Sequence, residues 1–430
     1  MKRRDLKRLH KELETFVTAM TENMGRPERR DALGHYITGL LLEGERKSIA
    51  PMAERMAEPG DSEAMRQRMQ QAVVIAKWSQ TELFRRVAKQ LNAKLPELEA
   101  FVVDDTGFPK KGDHSVGVAR QYSGTLGRTD NCQVATSLHL AGKQGSGCIG
   151  MRLYLAQEWV DDDERRTKAG VPKDVVFRKK WESALDLLDD ALGWGLPQRV
   201  VLADAGYGDC GDFRRALNDR GLHYLVAVTG TANVWPPNSE PHLPDYKGVG
   251  PYPTRLRSNI ASALPIDQLV EDARFRRVTW REGSRGMQSA RFAVFRVRPA
   301  RQKARSPEPE QWLLIEETNQ PKRPYKFYLS NLPADTATKE LVRRAKLRWR
   351  IERDYQELKG ELGLDHFEGR TWSGFHHHVA LCAAAHAFLA IRRALFPPIE
   401  DPMDTGDGSQ RTPTGAPQTT AGVPSLPSAL

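Results

Sequence analysis

The stretch that most limits what this chain can become is RWRIERDYQELKGELG, residues 348–363. Leu347, Ile351, Leu358 and Leu362 recur at helical steps, which makes one face an apolar stripe that packs on a core. The same steps on the other side give Arg348, Glu352, Tyr355 and Lys359. One carboxylate therefore stands between two cations on a single line of the helix. On an arbitrary charged helix such a line is a solvated ladder of ion pairs, each contributing little.

The spacing of these residues carries more than a ladder. Arg348, Glu352 and Lys359 resemble the Tyr-Arg-Glu-Lys signature of bacterial insertion-sequence transposases in the DDE superfamily, with Ala345 standing where the signature has Tyr. The resemblance implies that Glu352 is the third carboxylate of a metal site, and that two aspartates lie upstream, each at a strand end.

Two such places exist. Ala100 to Val103 is a short apolar run that stops at Asp104 and Asp105, followed by a Gly-Phe-Pro-Lys-Lys-Gly turn. Strand alternation puts Asp105 on the face of Phe101 and Val103, and Asp104 on the opposite face. The block DDTGFPKKG closely resembles the first catalytic block of one group of these transposases, in which the aspartate just before Thr is the ligand. That points to Asp105, with Asp104 as the alternative. Residues 199–208, RVVLADAGYG, repeat the design and offer Asp204, with Gly206 and Gly208 turning the backbone beside it. A nucleotide loop is excluded there, because neither GxGxxG nor GKS/T is present.

The remainder sets the frame. Residues 1–95 read as amphipathic helices and form an N-terminal domain to which the resemblance assigns DNA binding. Strands of an antiparallel meander follow the first aspartates, and a helix covers residues 174–192. The acidic run Asp161–Glu164 reads as a solvated loop. Residues 231–324 interrupt the pattern with a basic β-rich insertion. Trp280 lies there among Arg277, Arg281 and Arg285, and the resemblance implies a ring on which an extruded base stacks, with Trp312 as the rival candidate. Asp335 or Thr336 is the expected cap of the helix that leads to Glu352. His378, Cys382 and His386 share a helix face, but without a paired fourth ligand they read as a satisfied core line. Residues 397–430, rich in Pro, Gly, Ser and Thr, read as a disordered tail.

A net charge of +10 favours a polyanionic partner, double-stranded DNA foremost. No apolar run suggests a membrane span, so the expected location is cytoplasmic, on the nucleoid. Four scattered cysteines suggest no disulfide frame.

The order of elements resembles an RNase H-like mixed sheet flanked by helices over residues 96–396. The resemblance implies two Mg²⁺ ions, replaceable by Mn²⁺, held by Asp105, Asp204 and Glu352, with Lys110, Lys111, Arg348, Lys359 and Trp280 contacting DNA. It implies a transposase that cleaves the ends of its element and joins them to target DNA, working as a homo-oligomer on paired ends. A nuclease without strand transfer, or a DNA-binding regulator that does not cut, are the alternatives, the latter kept open by Ala345.

Overall fold

A computed structural model describes residues 3–283, 286–301 and 306–396; Arg285 and the tail at 397–430 lie outside them. The chain divides into two compact units, one of Glu97–Asp354 and one of Met1–Pro96 with Tyr355–Leu430.

The second of these is helical. Its N-terminal part holds α1 (Arg3–Thr21), α2 (Pro27–Leu41), α3 (Ile49–Met56), α4 (Ser62–Gln70) and α5 (Gln80–Lys94). Pro27 opens α2, where its missing N–H costs nothing. The Ser79 hydroxyl caps α5 by accepting the Glu82 N–H at 3.1 Å. The last helix, α13 (Trp372–Leu395), packs against α2 and α5, so the C-terminal stretch is grouped by compactness with the N-terminal helices. Among the described residues α13 is the one helix long and apolar enough to cross a membrane, and most of it is buried inside the unit. No such run stood out in the sequence, because His376, His377, His378 and His386 interrupt it; all four are buried. His378 Nδ1 meets the Tyr36 hydroxyl at 2.8 Å, and its Nε2 meets the Leu364 carbonyl at 3.1 Å. His386 Nε2 lies 3.1 Å from Glu357 Oε2.

The unit Glu97–Asp354 is built on one mixed sheet. Its strands are β1 (Leu98–Pro109), β2 (Ala119–Ser123), β3 (Arg128–Gly142), β4 (Ser146–Leu153), β5 (Val200–Ala203), β6 (Tyr224–Val228), β7 (Asn233–Trp235), β8 (Leu264–Pro265), β9 (Arg276–Gly283), β10 (Gly286–Pro299), β11 (Gln311–Glu317) and β12 (Tyr325–Ser330). They run in the order β2-β3-β1-β5-β6-β12-β11-β10-β7-β8, with β4 on β3 and β9 on β10. β1 is antiparallel to β3 and parallel to β5, and β5 is parallel to β6. That core is consistent with an RNase H-like fold. β7 to β11 fall in the stretch expected as an insertion, and they continue the same sheet through β12, burying Val234, Ile266, Leu313 and Ile315.

The helices of this unit are α6 (Gln157–Val160), α7 (Asp163–Ala169), α8 (Lys180–Gly193), α9 (Ala205–Gly208), α10 (Gly211–Asp219) and α11 (Thr338–Leu347). α12 (Trp349–Gly360) starts in it and continues past Asp354. Three local expectations change. β1 does not stop at its aspartates but runs on to Pro109, because β3 pairs with it as far as Pro109↔Cys132. Asp162 caps α7 by accepting the Arg165 N–H at 2.8 Å, so part of the acidic run is helical. Ala337, with no side-chain cap, precedes α11, where Asp335 or Thr336 was expected. The pairing of β1 with β3 also carries a bulge between Leu98 and Ala100.

Candidate active site

β1 presents its two aspartates to different partners. Asp104 turns toward Arg348, whose Nη2 lies 3.0 Å from its Oδ2. Asp105 is held by the Lys180 ammonium at 2.8 Å, the Thr136 hydroxyl at 3.1 Å and the Tyr207 hydroxyl. Burial pushes the Asp104 carboxyl up to about 6; Arg348 offsets part of this, while Asp204 and Asp105 add to it. Burial, with the Asp105 charge beside it, also holds the Tyr207 phenol well above its usual value.

Asp204 follows the last residue of β5 and caps α9, its Oδ1 accepting the Gly206 N–H at 2.9 Å and the Tyr207 N–H at 3.4 Å. Gly208 is required for a reason the sequence did not show. A Cβ there would lie 1.8 Å from the Ala227 carbonyl oxygen of β6, so no side chain fits.

Glu352 sits on α12 as the sequence placed it, with Leu347, Ile351, Leu358 and Leu362 all buried. Its side chain is 74% exposed and free to reorient. Arg348, at the break between α11 and α12, is the point on which three elements converge. Its guanidinium lies 3.0 Å from Asp104, 3.9 Å from Asp204 and 3.7 Å from Glu352. One cation thus faces three carboxylates, drawn from a strand, a strand end and a helix. Ala345, in the place of the signature Tyr, is buried in α11.

The DDE superfamily endonuclease family matches residues 19–287. The chain belongs to that family. The match includes Asp104, Asp105 and Asp204 and ends before Glu352. A second comparison finds 37% identity over 128 residues with a protein of Microchaete diplosiphon described as "Probable transposase for insertion sequence element IS701". That alignment covers 30% of this chain and 31% of the relative, so the chain spans about a third of the relative's length.

DDE superfamily endonucleases generally depend on a divalent metal, and the donor chemistry here fits one. The acidic groups are oxygen donors, and Asp104, Asp204 and Glu352 share the single Arg348 guanidinium. Among the described residues no three acidic, His or Cys side chains already gather at one ion-sized point. The carboxylates stand around the guanidinium instead, and Glu352 is the one with room to move.

The other expected DNA-contacting residues are dispersed. Lys110 and Lys111 follow β1; Lys110 is tied through its backbone to Asn131, and Lys111 is exposed. Lys359 belongs to the helical unit, where burial lowers its pKa. Trp280 is the unpaired residue of a bulge, since Thr279 faces Ser289 and Arg281 faces Gln288. Its ring meets the edge of buried Phe292 at 5.9 Å, and the Lys346 ammonium lies 4.8 Å from its centre. It is half-buried and engaged by its own unit. Sequence reading missed Lys180, Thr136 and Tyr207 as partners of Asp105. Only Tyr207, three residues after Asp204, had a local signal.

Proposed function

We propose that this chain is a DNA transposase that cleaves the ends of its insertion sequence and joins the freed 3′-ends to target DNA on an RNase H-like scaffold. The convergence of Asp104, Asp204 and Glu352 on Arg348, inside a chain of the DDE endonuclease family, carries this reading. The name of the Microchaete diplosiphon relative supports it.

Asp204, Glu352 and the Asp104–Asp105 pair are the residues that would hold two Mg²⁺ ions, or Mn²⁺ in their place. When bound, such ions activate the attacking hydroxyl and stabilise the leaving 3′-oxygen of an in-line displacement at phosphorus. The chain's own groups prepare that step. Arg348 keeps like charges together until phosphate arrives, and its planar fork then suits a phosphate oxygen pair. Lys180 and Tyr207 hold Asp105 in one orientation, and the Asp204 cap fixes its carboxylate against the start of α9. Lys110, Lys111 and Lys359 add phosphate contacts, and the helical unit binds DNA. Trp280 contributes a ring for an extruded base if DNA draws it from Phe292. Two copies act together on paired ends.

The test is incubation of the full chain with Mg²⁺ and donor DNA carrying the flanking ends, mapping every 3′-end produced. Cuts at the element ends and joined target products are expected. Asp204→Asn and Glu352→Gln should each lose at least about a thousandfold in rate, roughly 4 kcal/mol of transition-state stabilisation, while still binding ends. Asp104→Asn and Asp105→Asn, compared side by side, decide which aspartate is the ligand: geometry at Arg348 favours Asp104 and the motif favours Asp105. Cutting without joining would leave a nuclease; binding without cutting would leave a regulator.

A further inference from the structure

The helix that carries Glu352 is fastened from behind. Asp354 lies two residues on, about 200° round the helix and about 3 Å along it, so it points away from the Arg348 cluster into the sheet. It is 3% exposed, against 74% for the Glu352 side chain. Both of its oxygens are taken: Oδ1 accepts the Ser146 hydroxyl at 2.6 Å, and Oδ2 meets His139 Nδ1 at 2.7 Å. Ser146 and His139 belong to the two strands of one hairpin, β3 and β4, in which Ala141 faces Ser146 and His139 faces Cys148. Arg350, on the first turn of α12, donates to the Lys143 carbonyl at the tip of that same hairpin.

The strand that grips Asp354 is also the strand that pairs with the catalytic aspartates. β3 places Ser137 opposite Asp104 and Thr136 opposite Asp105, and the Thr136 hydroxyl bonds Asp105. His139 follows within a few residues of both. One rigid strand therefore touches the carriers of the first and third carboxylates. A buried charged pair is a poor way to gain stability compared with apolar packing, and its best-attested use is to fix one geometry among several. Apolar residues at 139, 146 and 354 could fill this space but would let α12 slide.

We propose that Asp354 is the positioning residue of the Glu352 carboxylate, clamped by His139 and Ser146 so that β3 sets the distance from Glu352 to the aspartates of β1. The proposal rests on the reading of Glu352 as a metal-binding carboxylate.

The experiment uses the full chain, the single variants Asp354→Asn, Ser146→Ala and Glu352→Gln, and the double variant of the first two. Mn²⁺ binding is followed by electron paramagnetic resonance without DNA, alongside end binding, melting temperature and cleavage. For Asp354→Asn, Mn²⁺ affinity should weaken roughly tenfold and cleavage about tenfold to a hundredfold, with end binding unchanged. Ser146→Ala, which removes one of the two bonds, should move both readouts in the same direction by less. It carries the test if Asp354→Asn does not fold. Adding Ser146→Ala to Asp354→Asn should cost less than the sum of the two, because they share one clamp.

Wild-type Mn²⁺ affinity and cleavage in folded Asp354→Asn or Ser146→Ala, or a loss matching the unfolded fraction alone, would overturn the proposal and leave Asp354 a stability residue. If Glu352→Gln itself keeps wild-type Mn²⁺ binding and cleavage, the reading of Glu352 fails and the positioning role falls with it. If Glu352→Gln loses both while the clamp variants keep them, the positioning role fails alone.

Discussion

Glu357 in the helical unit and Asp104 in the sheet unit are both buried carboxylates, and their surroundings treat them in opposite ways. Glu357 accepts two bonds from Arg393, at 2.7 and 2.5 Å, and lies 3.1 Å from His386. Burial alone would raise its pKa, but His386 and Arg393 outweigh burial and hold the carboxyl well below the usual range. Asp104 has Arg348, which it shares with two further carboxylates, and burial wins. A charge that only holds helices together is fully compensated. The charge at the candidate site accepts the Asp105 N–H and shares one guanidinium with two other carboxylates, a crowding that a dissociable cation relieves.

The largest test of this contrast is stability. Glu357→Ala leaves Arg393 and His386 facing an empty place and should cost about 3 to 5 kcal/mol in denaturant unfolding. Asp104→Asn removes a charge the fold holds at a disadvantage, and should stabilise the metal-free chain on the order of 1 to 3 kcal/mol at neutral pH. Loss of stability in Asp104→Asn would mean that its bond to Arg348 outweighs its burial, and the contrast would fail.

The pH dependence should separate the two next. The folded-state pKa of Asp104, about 6, is raised above the ordinary aspartate value of 3.8, so its ionisation opposes folding, and the advantage of Asp104→Asn should grow as pH rises from about 4 to 6. Glu357 has a depressed folded-state pKa. Its contribution is therefore present above the ordinary glutamate range and lost as pH falls below it. The gap between wild type and Glu357→Ala should accordingly shrink in acid. Melting curves of the three chains in chelator from pH 3 to about 7 read both slopes.

The smallest effect is that of metal on the melting point. Millimolar Mg²⁺ should raise the melting temperature of wild type by a few degrees through preferential binding to the folded state, and do less for Asp104→Asn. Equal shifts in the two would place the ion away from Asp104.

Much of the site could be read along the chain, where periodicity reports which way a side chain points. The stripe of Leu347, Ile351, Leu358 and Leu362 is buried as its spacing required, and Asp104 and Asp105 do meet different partners. What could not be read are the contacts that close over distance. Lys180 on Asp105, and His139 on Asp354 across 215 residues of sequence, leave no periodic trace because each needs the sheet to form first. The extent of β1 was misjudged for a related reason: a Gly-Phe-Pro sequence looks like a turn until β3 supplies a pairing partner. The grouping of α13 with the N-terminal helices is likewise a matter of packing, to which local propensity is blind.

The bulge near the start of β1 has a consequence for how such a site could drift or be redesigned. Between Leu98 and Ala100 the strand spends one more residue than its neighbour, and Glu99 is the surplus. Leu98 faces Gly142 and Ala100 faces Ala141, so a chain without Glu99 would pair the two strands evenly and keep Asp104 and Asp105 opposite Ser137 and Thr136. The bulge thus absorbs a one-residue loss that, farther along β1, would turn every following side chain to the opposite face. A chain lacking Glu99 should therefore respond to Asp104→Asn and to Asp105→Asn as the full chain does, whereas a deletion at Phe101 should not.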